Sequence, residues 1–510
     1  MSENDNQSDD PGVELRKETL DKDLTKLAEV NAAVLSSARP VFAVGIGILF
    51  LALAGIFASI TVGPQPNFVF IIVAAMLGGY MALNIGANDV ANNVGPAVGS
   101  RALTLMGALV IAAVFESAGA LIAGGDVVAT ISKGIIDPSL VPDSQIFVWA
   151  MMAALLAAAV WVNLATYVGA PVSTTHSVVG GVMGAGIAAV GFEAVNWVTM
   201  GKIAASWVIS PFLGGLIAAL FLAFIKINII YQDDKIAAAR RWLPILIAIM
   251  ASVFTCYLAV KGLKRVWQPD WVTVLMIGIG VFVGAVVLLR PWVRKMSEGL
   301  DNRNESLRIL FRLPLICSAA LLSFAHGAND VANAVGPLAA ILHSVQSGEI
   351  ATRVVIPIWV MVIGAVGISL GLFLFGPRMI RLVGAEITRM NPMRAFCVAL
   401  SAAITVIFAS ALGLPVSSTH IAVGAIFGVG FFREYYTTHS TRRRDYVLSR
   451  KQNKGTDSSA SPAPVARKDA RVRKLVRRAH FITIIAAWFI TVPATAIMAA
   501  AVFWALSAVL

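Results

Sequence analysis

The hydrophobic positions of this chain fall into long, nearly uninterrupted runs. Apolar runs of about 20 residues can cross a bilayer as helices, whereas a membrane β-barrel alternates over about ten residues. Runs of helix-spanning length cover 41–62, 67–85, 102–123, 146–166, 203–225, 243–262, 271–289, 354–376, 395–412 and 481–509. Two shorter runs, 176–190 and 313–325, adjoin polar motifs. The pattern predicts an all-α polytopic membrane protein with about 11–13 membrane segments.

Composition agrees with this class and excludes others. Hydrophobic residues make up 58% of the 510 residues and charged residues 13%, against about 25% charged in soluble proteins. The net charge of +12 lies in loops, where it indicates topology and not a nucleic-acid partner. Three scattered cysteines suggest neither a metal cluster nor a disulfide framework. No Walker motif, Cys/His nucleophile pair or zinc cluster favours an enzyme.

Two polar motifs each occur twice within this apolar sequence. Residues 86–96 read GANDVANNVGP and residues 327–337 read GANDVANAVGP, with ten of eleven positions identical. PVSTTH at 171–176 and PVSSTH at 415–420 form a second pair at nearly the same spacing. The chain is therefore an internal duplication. Because polar groups inside apolar segments are expensive, paired polar breaks at matching places predict a transporter site.

The distribution of Lys and Arg predicts that the two halves are inverted. The loops 433–480 and 290–312 carry fourteen and six basic residues, and we place both in the cytoplasm. Counting crossings puts 377–394, with four arginines, on the same side. The equivalent loop of the first half, 124–145, carries only one lysine and is placed outside. Equivalent loops on opposite sides define an inverted repeat.

The same count predicts the remaining organisation. In the cell (inner) membrane, it places the N-terminus on the cytoplasmic side and the C-terminus on the outer side. The basic loop 261–270, placed outside, is the one exception to the charge pattern. The predicted parts are a polar cytoplasmic segment (1–40), an extra helix (41–62), the first repeat (67–225), linking helices with a basic loop (226–312), the second repeat (313–432), a basic flexible cytoplasmic loop (433–480) and a C-terminal helix (481–510).

The first motif pair predicts a cation site. Within a helix its polar residues share one face, and the Gly-Ala-Asn start and Gly-Pro end predict a broken helix with free carbonyls. Carboxylate, amide and carbonyl oxygens suit an alkali or alkaline-earth cation better than zinc. Helix–helix hydrogen bonding is the plainer alternative. The candidate ligands are Asn88, Asp89, Asn92, Asn329, Asp330 and Asn333.

The second motif pair predicts an anion site. Each run of three hydroxyls follows Pro-Val at the centre of an apolar hairpin and precedes a helix, so hydroxyls and free backbone N–H groups point to one place. Two such runs, related by the inversion, could hold one tetrahedral oxyanion from opposite sides. Helix capping is the plainer role and is compatible with anion binding. The candidates are Ser173, Thr174, Thr175, Ser417, Ser418 and Thr419.

Four further residues are candidates for coupling or packing. His176 and His420 follow the hydroxyl runs and either donate to the anion or pack. Glu116 is a lone carboxylate in an apolar run, which either carries a proton, joins a cation site or pairs helices. His326 precedes the second motif, but Ile85 stands at the matching place in the first.

The two GANDVAN motifs together with PVSTTH and PVSSTH resemble the inorganic phosphate transporter (PiT) family, from about residue 67 to 432. The resemblance implies secondary import of inorganic phosphate by Na⁺ or H⁺ symport, with two inverted repeats and two helical hairpins. It implies that the six hydroxyl residues hold phosphate and that Asn88, Asp89, Asn92 and their counterparts bind Na⁺ beside it. AVGSRALT (97–104), FESAG (115–119) and the intact first motif look like the sodium-coupled branch.

Several alternatives stay open. A proton-coupled phosphate transporter, or a sulfate or other oxyanion permease of the same fold, fits the residues, because neutral donors accommodate either anion. An ion channel is less compatible, since channels usually repeat their selectivity element around a pore axis. No cofactor is expected beyond Na⁺ or H⁺ as the coupling ion. The expected partners are phosphate, Na⁺ and the bilayer, and a homodimer is a candidate assembly.

Overall fold

The computed structural model describes residues 41–262, 267–348, 356–386, 390–444 and 478–509. The predicted segment 1–40 and most of the basic loop 433–480 lie outside the described residues. Residues Met1–Leu49 form one unit, of which the structure describes the helical residues 41–49, and Phe50–Leu510 form a second unit. All the motifs lie in the second unit.

The described chain is helical. Its helices are α1 (Val41–Val62), α2 (Phe68–Asn88), α3 (Val90–Gly99), α4 (Leu105–Ala123), α5 (Gly125–Lys133), α6 (Ser144–Val168), α7 (Thr174–Val190), α8 (Trp197–Ile225), α9 (Lys235–Tyr257), α10 (Trp271–Met296), α11 (Asn304–Leu310), α12 (Arg312–Ser347), α13 (Ile358–Glu386), α14 (Pro392–Ala411), α15 (Ser418–His439) and α16 (Arg478–Val509). Eleven helical stretches are long and apolar enough to cross a membrane. The prediction of an all-α polytopic membrane fold is confirmed.

Two helical hairpins carry the hydroxyl runs. In each, a glycine in the left-handed region turns the chain just before Pro-Val-Ser: Gly169 has φ 78° and Gly413 has φ 68°. Glycine adopts this conformation without the strain that a side chain would bring. The turns bring α6 against α7 and α14 against α15. Each hairpin therefore presents its hydroxyl run at the start of the second helix.

Helices from the first half of the chain pack against helices from the second half. α2 packs against α13 and α12 against α4, while α7 packs against α16 and α15 against α8. Small residues permit close approach: a methyl group at Gly86 would collide with the Ile368 carbonyl, and one at Gly327 with the Glu116 carbonyl. Small residues at such contacts are typical of membrane helices. The inverted orientation of the halves stays a prediction.

The predicted helix break at the motifs is correct in only one of them. In the first motif a single residue, Asp89, separates α2 from α3, and its N–H still bonds to the Ile85 carbonyl at 2.9 Å. In the second motif the prediction is wrong, because α12 runs through all 36 residues with Pro337 inside. A proline removes one donor, which a buried membrane helix tolerates when its surroundings compensate. Most of the side chains of α12 are buried, so other helices cover it along most of its length.

Several predicted loops contain helix: α13 and α14 extend into 377–394, and α11 lies in 290–312. The segment 124–145 includes α5, and the first residues assigned to the loop 433–480 continue α15 to His439. Apolarity alone sets neither boundary, because α5 is short and the end of α15 is polar. The linking region 226–312 contains α9 and α10.

Candidate functional site

The four motifs meet at one buried place. The first motif spans the junction of α2 and α3, the second lies in the middle of α12, and the hydroxyl runs begin α7 and α15. None of the twelve predicted ligands is more than 2% exposed. Hydrogen bonds join residues that are more than 300 positions apart in the sequence, such as Asn92 and Thr419. The structure thus brings the predicted cation and anion residues together.

Ser173 and Ser417 cap the helices that follow them. Their Oγ atoms accept the N–H groups of His176 at 3.1 Å and of His420 at 3.2 Å. This is the N-cap arrangement that serine favours. Capping uses an oxygen lone pair, so each hydroxyl hydrogen remains able to donate to an anion.

The two aspartates accept hydrogen bonds from the hydroxyl runs. Thr174 donates to Asp89 Oδ2 at 2.6 Å, and Ser418 donates to Asp330 Oδ2 at 2.9 Å. Thr419 crosses between the halves and donates to Asp89 Oδ1 at 2.8 Å. Within the described chain, Asp330 Oδ1 has no hydrogen-bond partner. The site therefore contains a buried carboxylate oxygen that can still take a ligand.

Asn92 and Asn333 tie each motif to the opposite hydroxyl run. Asn92 Nδ2 donates to Thr419 Oγ1 at 3.0 Å, and Asn333 Nδ2 donates to Thr175 Oγ1 at 3.1 Å. The amide oxygens of both asparagines are buried and have no hydrogen-bond partner among the described residues. An amide oxygen is a hard ligand that suits Na⁺, so both atoms could take a cation.

Asn88 and Asn329 brace the hairpin turns. Asn88 Nδ2 donates to Thr166 Oγ1 (2.9 Å) and to the Ala170 carbonyl (3.2 Å), while its Oδ1 accepts the Val172 N–H (3.2 Å). Asn329 repeats this arrangement with Ser410, Leu414 and Val416 at 2.8, 3.2 and 3.4 Å. These contacts give both residues a positioning role, and their predicted role as cation ligands stays a prediction.

Glu116, His326 and Asp330 form a series of acid, imidazole and acid, which includes only one of the two aspartates. His326 Nδ1 lies 2.6 Å from Glu116 Oε2, and His326 Nε2 lies 2.9 Å from Asp330 Oδ2. Asn93 Nδ2 donates to the other Glu116 oxygen at 2.7 Å. All four residues are buried. Glu116 is thus connected to Asp330 through His326, whose role the sequence left undecided.

Asn93 was missed by the sequence analysis, although a signal was present. It occupies the single position at which the two eleven-residue motifs differ, where the second copy has Ala334. Asn93 pairs with Glu116, whereas an alanine could not. The difference between the copies, rather than their identity, marks this contact.

The two histidines after the hydroxyl runs pack against aromatic rings. His176 lies on Trp207 with ring centroids 3.8 Å apart, and His420 lies on Trp488 at 3.6 Å. The two imidazoles meet edge to face at 4.3 Å. No hydrogen bond in the described chain joins either ring to the hydroxyl runs or the aspartates. The packing alternative therefore accounts for their positions.

The charge of the site requires compensation. Asp89, Asp330 and Glu116 are three buried carboxylates, and His326 is the imidazole between two of them. Ligand atoms of Asp89, His326 and Asp330 all lie within 4.8 Å of one another, a spacing that can hold one metal ion. Buried carboxylates persist in a membrane when they are paired or bound to ions. Bound cations or protons could therefore compensate the charge of these carboxylates.

Comparison with known proteins agrees with this geometry. A family model described as the phosphate transporter family matches residues 85–499. A relative from Helicobacter pylori (strain J99), provisionally named a phosphate permease, is 44% identical over 525 aligned positions that cover 95% of this chain and 98% of the relative. A similarly named protein of Pyrococcus abyssi is 37% identical over 382 positions, covering 74% of this chain and 93% of that protein.

A solved structure has the same fold. It is titled "The sodium-dependent phosphate transporter", superposes with a TM-score of 0.75 at 35% identity, and covers 87% of this chain and 100% of its own. The family consists of transporters, so the expectation of a transporter and not an enzyme is confirmed. This multi-pass membrane protein belongs to the phosphate transporter family.

Proposed function

We propose that the protein imports inorganic phosphate by symport with Na⁺ and that access to the site alternates between the two sides of the membrane. The observation that carries this proposal is the meeting of two aspartates with two hydroxyl runs in one buried place. The aspartates supply the cation ligands, and the runs supply neutral donors for the anion. The family and the sodium-dependent neighbour support the proposal.

Cation coupling follows from the charge of the site. The site holds three buried carboxylates and one imidazole, so with all three carboxylates ionised even a protonated His326 leaves about two negative charges in excess. An incoming phosphate adds further negative charge, and we found no Lys or Arg beside either hydroxyl run in the sequence. Bound cations therefore have to arrive before or with the anion. The unpartnered oxygens of Asp330, Asn92 and Asn333 suit Na⁺, a hard cation.

Phosphate binding would use hydroxyls that now bond within the protein. Thr174, Thr419 and Ser418 donate to the aspartates. A hydroxyl rotates easily, so a cation that takes over the carboxylates releases these donors for phosphate oxygens. This exchange makes anion binding depend on cation binding, as symport requires.

Alternating access would use the two hairpins. The hairpin of α6 and α7 packs with α16, and the hairpin of α14 and α15 packs with α8. The hydroxyl runs thus belong to two different groups of helices, and the site lies where they meet. Movement of one group against the other would open the site without breaking either group, as in transporters built from inverted repeats.

The test is uptake of labelled phosphate into proteoliposomes with and without a sodium gradient, at fixed pH, with excess sulfate as competitor. We expect sodium-driven uptake that sulfate does not inhibit. Uptake driven by a proton gradient and indifferent to sodium would replace Na⁺ by H⁺. Inhibition by sulfate would assign the site to sulfate or another oxyanion instead of phosphate. A Thr175→Ala and Thr419→Ala variant should raise the half-saturating phosphate concentration, and unchanged uptake would restrict these hydroxyls to structural roles.

Orientation, membrane and assembly complete the proposal. We propose that the N-terminus and the loop 433–480 face the cytoplasm from the cell (inner) membrane, as the Lys/Arg count predicts. A homodimer is the proposed assembly to test, by cross-linking in native membranes. A monomeric product under conditions that cross-link a known dimer would reject it.

A further inference from the structure

A cavity of about 390 Å³ lies at the tip of the second hairpin, away from the buried ligands of the central site. Its lining includes Thr130 of α5, Lys202 of α8 and the tip residues Leu412, Gly413 and Leu414. Among the described residues that line it, Lys202 is the only charged one, and its side chain is exposed. A concave surface with positive charge and no acid attracts anions.

The chain leads from this cavity to the second hydroxyl run within a few residues. Leu412 is 61% exposed, whereas Val416 is 0% exposed and Ser417 begins the hydroxyl run. Three residues span at most about 11 Å, so Leu414 in the cavity lies within that distance of Ser417 along the chain. Residues 413–416, which we call the tip segment, therefore connect the cavity to the proposed phosphate donors of the second hairpin.

Four helices hold the tip segment by its carbonyl groups. Each carbonyl accepts a side-chain hydrogen bond, from α5, α12, α8 and α7 in turn: Thr130 Oγ1 donates to Gly413 at 2.7 Å, Asn329 Nδ2 to Leu414 at 3.2 Å, Trp207 Nε1 to Pro415 at 3.2 Å and Thr175 Oγ1 to Val416 at 3.0 Å. The bond from Thr130 is the shortest of the four, and both of its residues line the cavity. Thr130 therefore fixes the end of the tip segment that is nearest to solvent.

The tip of the first hairpin is held from the other half of the chain as well. Arg378 Nη1 donates to the Tyr167 carbonyl at 3.2 Å, two residues before the turn at Gly169. Thr130 and Arg378 lie in 124–145 and 377–394, which the sequence analysis treats as equivalent segments. A side chain of one half thus holds the hairpin tip of the other in both cases. The Lys/Arg count places 124–145, and with it the cavity, on the outer side.

We propose that this cavity is the outer entrance for phosphate and that the tip segment is its gate, which the Thr130 hydroxyl holds closed. Lys202 attracts the anion from solvent, and displacement of the tip segment opens the way to the hydroxyl run. Each hydrogen bond on the segment has only a modest net strength, so the gate opens without unfolding its surroundings. The proposal rests on the proposed transport of phosphate and on the proposed orientation in the membrane.

A cysteine at position 416 reports whether the gate is open, because Val416 is buried and its side chain is not a proposed phosphate ligand. Right-side-out vesicles with the full-length Val416→Cys protein are treated with an impermeant anionic methanethiosulfonate, and the rate of modification is measured. The chain without this reporter gives the background from Cys256, Cys317 and Cys397. We expect Thr130→Val to raise the rate about two- to tenfold, since the closed state loses one hydrogen bond.

Two matched variants test whether the effect is specific to this contact. Thr130→Ser keeps the donor, and Ser132→Ala removes another hydroxyl of α5, whose bond to the Ala129 carbonyl stays within that helix. Both should be modified at the rate of the reporter alone. An unchanged rate in Thr130→Val, or an equal rise in Ser132→Ala, overturns the gate. If Thr130→Val does not reach the membrane, Thr130→Ala is compared in the same way.

The role of Lys202 is tested in the Thr130→Val reporter. The ratio of the rates with an anionic and a cationic reagent of similar size should fall about twofold or more in Lys202→Gln and stay unchanged in Lys202→Arg. An unchanged ratio in Lys202→Gln overturns the attraction of anions, and modification only in inside-out vesicles overturns the outer entrance. These readouts need no transport. Uptake that ignores sodium or phosphate would therefore reject the proposed function and leave the gate in place.

Discussion

Replacement of Asn88 by alanine should destabilise the protein more than it changes sodium binding. The structure gives Asn88 three hydrogen bonds to the hairpin turn before the first hydroxyl run. Asn88→Ala leaves the buried Val172 N–H without its acceptor, at about 1–3 kcal/mol, and removes two further bonds of about 0.5–1.5 kcal/mol each. The expected loss of unfolding free energy is therefore about 2–6 kcal/mol. Unfolding in mixed micelles by titration with a denaturing detergent measures it.

The Asn88→Asp variant distinguishes a positioning role of this residue from a role as a sodium ligand. In Asn88→Asp the carboxylate replaces the Nδ2 donor, so an oxygen faces the Ala170 carbonyl and Thr166. If Asn88 only positions the hairpin turn, Asn88→Asp should lose at least as much unfolding free energy as Asn88→Ala, since a buried charge is added. A sodium ligand would instead be strengthened by the added charge. A stable Asn88→Asp protein with a lower half-saturating sodium concentration would refute our reasoning. Asn329→Asp provides the matched comparison in the second repeat.

Three further predictions concern the aspartates, the helix contacts and the topology. Asp89→Asn and Asp330→Asn should each raise the half-saturating sodium concentration of phosphate uptake by about tenfold or more; normal sodium activation in both would reject the cation assignment. Gly327→Ala should lower stability by about 1–3 kcal/mol through a collision with a carbonyl of α4, whereas Gly284→Ala, which meets no atom within 4 Å, should not; equal melting curves would contradict this. A cysteine in 377–394 should react with an impermeant thiol reagent only from the cytoplasmic side, and external labelling would exclude the inverted scheme.

The membrane fold was predictable because apolar length is a local property. Every run of about 20 apolar residues became a long helix or part of one, and Pro-Val-Ser after a glycine marked both hairpin turns. The continuity of the helix through the second motif was not predictable in the same way. Whether Pro337 ends a helix depends on the helices packed around it, and α12 is buried by the rest of the molecule. Local residues do not contain that information.

The different contacts of Asn88 and Asn92 could not be predicted from the sequence either. Asn88 and Asn92 are four positions apart on one helical face, and both were predicted to bind a cation. In the structure, Asn88 turns to the hairpin and Asn92 crosses to Thr419. A difference of this kind depends on which helix lies beside each side chain. Spacing along one helix gives the shared face but not the neighbour.

Residues that are identical in the two motif copies located the site. Residues that differ between the two halves explain why the surroundings of Asp89 and Asp330 are unlike. Three positions break the duplication: Glu116, His326 and Asn93, where the second half lacks an acid and the matching residues Ile85 and Ala334 are apolar. In the structure these three contact one another. Without Glu116, the Asn93 amide would lose its acceptor and His326 Nδ1 would lose its partner, and an unpaired buried polar group costs about 1–3 kcal/mol, so the three form a single unit. Because that unit reaches Asp330 through His326 Nε2 and not Asp89, the two aspartates have unlike surroundings although the motifs around them are nearly identical.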